Sequence, residues 1–132
     1  MPKTYALISK EEMRREDLMT LLHEVQALIH PDEVYDGRLS HGNQHVWIAL
    51  DNHILDDFED YDRELIEQKL AGKPQSSIVL DVSRTSGSQQ LAVDFAYRCA
   101  QIWPCVVYDF IDKVYSKEEV FQLRETGRGF DK

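Results

Sequence analysis

The segment Asp56-Asp57-Phe58-Glu59-Asp60-Tyr61-Asp62 interleaves five carboxylates with two aromatic rings, the densest run of reactive side chains in the chain. Paired carboxylates can work as acid and base, but without a predicted cleft their abundance specifies no reaction. Clustered carboxylates can also steer a cationic partner from a distance and hold it. Between Pro31 and Glu64 ten acids face only Arg38 and Arg63, so this stretch carries −8 of the chain's formal −9. A helix here would place Asp57, Asp60, Glu64 and Glu67 on one face, with Ile54, Phe58, Tyr61 and Leu65 on a neighbouring face turned to the core. Like charges at that spacing repel by a few tenths of a kcal/mol (~0.2–0.5) per pair, so helix stability alone does not account for them. Two readings remain open: an ordinary solvated face, or a surface that binds a basic partner. The residues of the second reading are Asp51, Asp56, Asp57, Glu59, Asp60, Tyr61, Asp62, Glu64 and Glu67, with Tyr35 or Trp47 as aromatic neighbours.

A second candidate is Asp81-Val-Ser-Arg-Thr-Ser-Gly-Ser88, between an apolar run and the most regular helix pattern. Free N–H groups at a helix start attract anions, so Arg84, Ser86 and Ser88 could hold a phosphate or carboxylate. The run matches neither phosphate-loop nor dinucleotide spacing, and Ser86 with Gln89 also has the spacing of a simple capping box. His41 and His45 are four apart, but Gly42-Asn43 between them breaks the helix that such a metal pair needs. Asp51 and His53 lack a third ligand, and no metal or cofactor is expected. Cys99 and Cys105 follow no metal or redox spacing and read as buried thiols. No serine sits in a nucleophile-elbow context, so no enzyme activity is expected.

Alternating strand and helix signals must position these groups. Lys3–Ile8 reads as a strand, and Ser9 with Glu12 as a capping box opening a helix that runs to Pro31. Arg38–Ser40 and Gln44–Leu50 read as a hairpin around Gly42-Asn43, with Val46, Ile48 and Leu50 on one face. A helix starting between His53 and Tyr61 runs to Leu70, and Ser77–Val82 is an apolar strand of the kind covered on both faces. Ser88–Trp103 is a helix with Leu91, Ala92, Phe95, Ala96, Cys99 and Ile102 on its apolar stripe, and Pro104 ends it. Cys105–Tyr108 is a strand, and Ser116 with Glu119 caps a final helix to Gly127, after which the tail Arg128–Lys132 should fray. Trp47 and Trp103 both read as core.

The order β-α-β-β-α-β-α-β-α implies an α/β (α+β) fold, a mixed sheet packed by about four helices. The 132 residues suit a single compact domain spanning 1–132, large enough to hold a core without disulfides. No apolar run approaches the ~20 residues that span a bilayer, and no signal segment opens the chain, so neither membrane nor secretion is expected. Net negative charge counts against nucleic acid, whose phosphates require cations.

The acidic α/β composition, the helix-to-strand stretch from Leu91 through Trp103-Pro104-Cys105 to Val107, and the helix start Val114-Tyr115-Ser116-Lys117-Glu118-Glu119 together resemble small bacterial immunity proteins. These are encoded beside contact-dependent growth inhibition or other polymorphic toxins. The resemblance covers about the C-terminal third and is structural in kind, so no binding residue is carried over from it. It implies a non-catalytic, cytoplasmic inhibitor of one cognate toxin, often a nuclease. A small-ligand or phosphate-binding enzyme using the Ser83–Ser88 loop, and a non-catalytic regulatory subunit, are the alternatives.

Overall fold

The computed structural model describes residues 3–130. Its backbone runs β1 (Lys3–Ser9), α1 (Arg15–Glu24), β2 (Leu28–Ile29), β3 (Gly37–His41), β4 (Gln44–Leu50), a 3₁₀ helix (Asn52–Asp56), α2 (Asp60–Leu70), β5 (Ser76–Val82), α3 (Ser88–Ile102), β6 (Cys105–Tyr108), β7 (Val114–Tyr115) and α4 (Lys117–Glu125). The seven strands form one sheet in the order β2-β3-β4-β5-β1-β6-β7. The α/β class, the single sheet and the four α-helices agree with the sequence reading. The mixture of strand directions does not: every pair among the described residues is antiparallel. The reason lies in β1. β5 and β6 both pair antiparallel with it, so they run parallel to one another but are held apart by the strand between them. α3 makes the crossover between two parallel strands that never touch.

Strand periodicity gives the sheet two different faces. Tyr5, Leu7, Val46, Ile48, Ile78, Leu80, Val82 and Val107 point to one, where Leu18, Leu21 and Leu22 of α1, Ala92, Phe95 and Ala96 of α3 and Val120 of α4 bury them. Ala6, Ile8, Val106, Tyr108 and Val114 point to the other, covered by Leu55 of the 3₁₀ helix and by Ile66 and Leu70 of α2. Burying each such aliphatic is worth about 1.5–3 kcal/mol, so Ile66 and Leu70 suffice to dock α2. The β3–β4 hairpin forms as expected, with Arg38 opposite Trp47 and Leu39 opposite Val46. Gly42 turns it at φ +63°, a conformation that glycine adopts without steric cost.

Several local expectations fail for tertiary reasons. Ser9 does not cap a helix: its Oγ accepts from the Glu11 N–H at 2.9 Å while its backbone pairs with Ser76 and Cys105 on either side. α1 therefore starts at Arg15 and ends at Glu24, not Pro31, and Leu28–Ile29 leave it to pair with β3. The left-handed backbone of Gln26 (φ +60°) and His30 (φ +49°) brackets that change of direction. β5 is not covered alike on both faces, since Val79 and Asp81 are only half-buried. Ile102 drops out of the α3 stripe and is exposed; Val93 and Ala100 take places in the core. Trp103 is core, whereas Trp47 is half-buried on the second sheet face. Of the tail expected to fray, Phe130 is packed, its ring 4.9 Å from Tyr5 and its carbonyl accepting from the Tyr115 hydroxyl at 2.6 Å, while Asp131 and Lys132 lie outside the described residues.

Candidate protein-docking surface

The acidic stretch is built from three pieces. β4 ends at Leu50, and the Asp51 carboxylate accepts from the His53 N–H at 3.0 Å, capping the 3₁₀ helix. The Asn52 side chain accepts from the Ser77 N–H at 2.8 Å and pins that helix to β5. Its far end is closed by Arg63, whose guanidinium donates to the carbonyls of Leu55 (3.0 Å) and Phe58 (3.4 Å). Arg63 thus caps backbone and forms no ion pair among the described residues. α2 then begins at Asp60.

This placement corrects the expected helix face. Asp57 lies before α2, at the end of the 3₁₀ helix, so the helical stripe reduces to Asp60, Glu64 and Glu67. Tyr61 is not turned to the core but is 68% exposed. Ile54, Phe58 and Leu65 do pack against the core as expected, joined by the buried Ile66 and Leu70, and Asp62 stands one turn before Ile66 on the same helix. Asp62 accepts a hydrogen bond from the buried Tyr108 hydroxyl at 2.6 Å. Burial, then that bond and the nearby charges of Asp62, Asp109 and Asp112, push the Tyr108 phenol well above its usual range.

The ten acids therefore serve different ends. Asp36 is buried, paired with the Arg15 guanidinium, and accepts from the Leu50 N–H at 2.8 Å. Asp32 caps a turn through the N–H groups of Val34 (2.8 Å) and Tyr35 (3.0 Å). Asp56, Asp57, Glu59, Asp60 and Glu64 are exposed, and Glu67 is half-buried. None of these six has an ion pair with a Lys, Arg or His among the described residues.

One part of this surface was not read from the sequence. The loop between β6 and β7 carries Asp109-Phe110-Ile111-Asp112, and Phe110 packs 6.0 Å from Phe58 and 5.4 Å from Tyr108. Phe58 meets Tyr108 edge-on at 5.5 Å. The loop that carries Asp109, Ile111 and Asp112 is thereby brought against Phe58, the sequence neighbour of Asp57 and Glu59. The signal was an apolar pair between two acids just after a strand, which is ambiguous until the fold places it beside the 3₁₀ helix.

The Ser83–Ser88 loop has a different geometry from the one expected. Arg84 and Ser86 do line one open depression of about 510 Å³, together with Lys3 and Gly87. Ser88 does not: it is the first residue of α3, buried, with its hydroxyl 2.6 Å from that of Ser83. Neither Ser86 nor Ser88 caps α3. Gly87 takes that position at φ +92°, where a Cβ would lie 2.3 Å from the Gln44 amide. On the second sheet face, Asp81 accepts from Thr4 Oγ1 at 2.7 Å and from the Tyr35 hydroxyl, and that bond pushes the Tyr35 phenol up to about 12. Both carboxylate oxygens of Asp81 are thus engaged within the fold.

Cys99 and Cys105 are free and buried, and burial holds both thiols protonated, Cys105 pushed up to about 12. Among the described residues no three His, Cys, Asp or Glu side chains assemble as a metal-binding group. No helix of the described residues is long and apolar enough to cross a membrane. A scan of protein-family models and comparisons with curated proteins and with solved structures find no match for this chain.

Proposed function

We propose that this chain is a non-catalytic binding protein whose acidic surface, from Asp51 to Glu67, docks a basic protein, and that the partner is a bacterial toxin it neutralises. The observation that carries the reading is a set of exposed carboxylates, Asp56, Asp57, Glu59, Asp60 and Glu64, for which the described fold provides no cation. Uncompensated like charges destabilise their own protein slightly, and a partner of opposite sign turns that cost into association rate and register. A nuclease fits that description, because its cleft must be positive to hold phosphates, and carboxylates seated there would exclude them. The toxin assignment rests on the resemblance to immunity proteins. The non-catalytic reading is supported by the Ser83 and Ser88 hydroxyls bonding one another and by the burial of both thiols. Neither nucleic acid nor a membrane is the proposed partner, and the proposed site of action is the cytoplasm.

The test is calorimetric titration of the chain with the toxin domain encoded beside it, at low salt and at about 0.5 M NaCl, where exposed charges are screened within ~4 Å. Binding should weaken with salt. Joint replacement of Asp57, Asp60 and Glu64 by Ser should weaken it about tenfold or more at low salt while leaving the melting temperature nearly unchanged. Equal affinity in that variant would remove this surface from consideration. Turnover of a substrate by the isolated chain would favour the enzyme alternative.

A further inference from the structure

We infer that Phe110 and Ile111 form the apolar anchor of the docking surface, inserting into an apolar pocket on a basic partner whose cations meet the surrounding carboxylates. This rests on the docking role proposed above and adds what it leaves open, the kind of site the partner must present. Phe110 is 39% exposed and Ile111 64% exposed, although their loop borders a buried cluster. Phe110 sits at φ +63°, a left-handed conformation that favours glycine or asparagine and is rare for a bulky aromatic. The Asp109 carboxylate holds the turn there by accepting from the N–H groups of Ile111 (2.8 Å), Asp112 (3.0 Å) and Lys113 (3.0 Å). A strained backbone kept in place at an exposed ring is a reason to ask what the ring does. The ring rests on Phe58 and Tyr108 with its remaining surface open, so little side-chain freedom is left to lose on binding. Rigid aromatic anchors ringed by polar groups are where interfaces concentrate their affinity.

The surroundings set the partner's chemistry. Asp109 and Asp112 flank the tip in sequence, and Asp57 and Glu59 are the exposed sequence neighbours of Phe58, on whose ring the tip leans. The lysine of the loop, Lys113, lies over the Tyr115 ring at 4.8 Å. A second copy of this chain would bring like charge against like charge, so the complementary occupant is a cationic protein with an apolar pocket.

The test titrates the full chain, by amide NMR, with two probes: a peptide of four arginines around two leucines, and the same peptide with serines replacing the leucines. On the wild type the leucine peptide should bind about fivefold more tightly and shift the Phe110 and Ile111 amides. Phe110→Asn, which suits the left-handed backbone, should erase that preference without lowering the melting temperature, and the exposed change Ile111→Ser should reduce it. Equal binding of the two peptides, or a preference that survives both variants, overturns the anchor. So does a dimer of the free chain that Phe110→Asn dissolves, because it would assign the tip to self-association. The triple acid-to-serine variant separates the two claims. If it weakens both peptides alike, the docking reading stands whatever the anchor does; if it weakens neither, that reading falls.

Discussion

Tyr108 and Asp62 lie 46 positions apart, yet their 2.6 Å bond ties the acidic helix to the sheet. Tyr108→Phe removes a donor from a half-buried carboxylate and should cost about 1–2 kcal/mol at pH 7, measured by urea unfolding. The pH dependence has a definite sign. A phenol held above its ordinary value of 10 favours the fold while it is protonated, so its contribution is intact below pH 10 and fades as pH climbs toward the folded value. The gap between wild type and Tyr108→Phe should therefore narrow above pH 10. At the same scale, sequence alone could count the acids but not sort them. Asp36 meets Arg15 from 21 positions away, and only the folded chain shows that it is paired while Asp57 has no ion pair among the described residues.

Of three capping-box signatures with the same spacing only one forms, and two of them show why. Ser116 and Glu119 form theirs: the Ser116 Oγ accepts from the Glu119 N–H at 3.2 Å, and the Glu119 carboxylate accepts from the Ser116 N–H at 2.8 Å. Ser9 and Glu12 do not, because the backbone of Ser9 is claimed by strands on both sides. A local motif prevails only where no ladder competes for the same residue. Ser116→Ala should destabilise the protein by about 0.5–2 kcal/mol in thermal unfolding. Burial alone would raise the Glu119 carboxyl, but the Ser116 N–H and the Lys69 ammonium at 2.9 Å outweigh it and hold the group below 4.5. A lowered carboxyl contributes stability above its unfolded value that is lost as pH falls through the folded one. Wild type should thus melt above Glu119→Gln at neutral pH and converge with it in acid below 4.5.

Across the whole molecule, helices are unevenly shared: α1, α3 and α4 bury one sheet face, and α2 with the 3₁₀ helix buries part of the other. The single helix α2 also carries the exposed Asp60 and Glu64, which have no ion pair among the described residues. Salt should accordingly stabilise the free protein, raising its melting temperature by about 1–3 °C between low salt and ~0.3 M NaCl. The triple Asp57, Asp60 and Glu64 variant should show a flatter response, read by calorimetry at several salt concentrations.

Sequence by itself determined what depends on neighbours along the chain: the β3–β4 register about Gly42-Asn43, the stop of α3 before Pro104, the cap of α4 and the position of the charge. Each follows from backbone sterics, side-chain period or local hydrogen bonding within a few residues. Tertiary structure alone decided the rest: that β1 separates β5 from β6, that Leu28–Ile29 joins a sheet instead of extending a helix, and that the Phe110 tip meets Phe58. Those outcomes turn on contacts between distant segments, whose free energy exceeds local preference and leaves no trace in residue spacing.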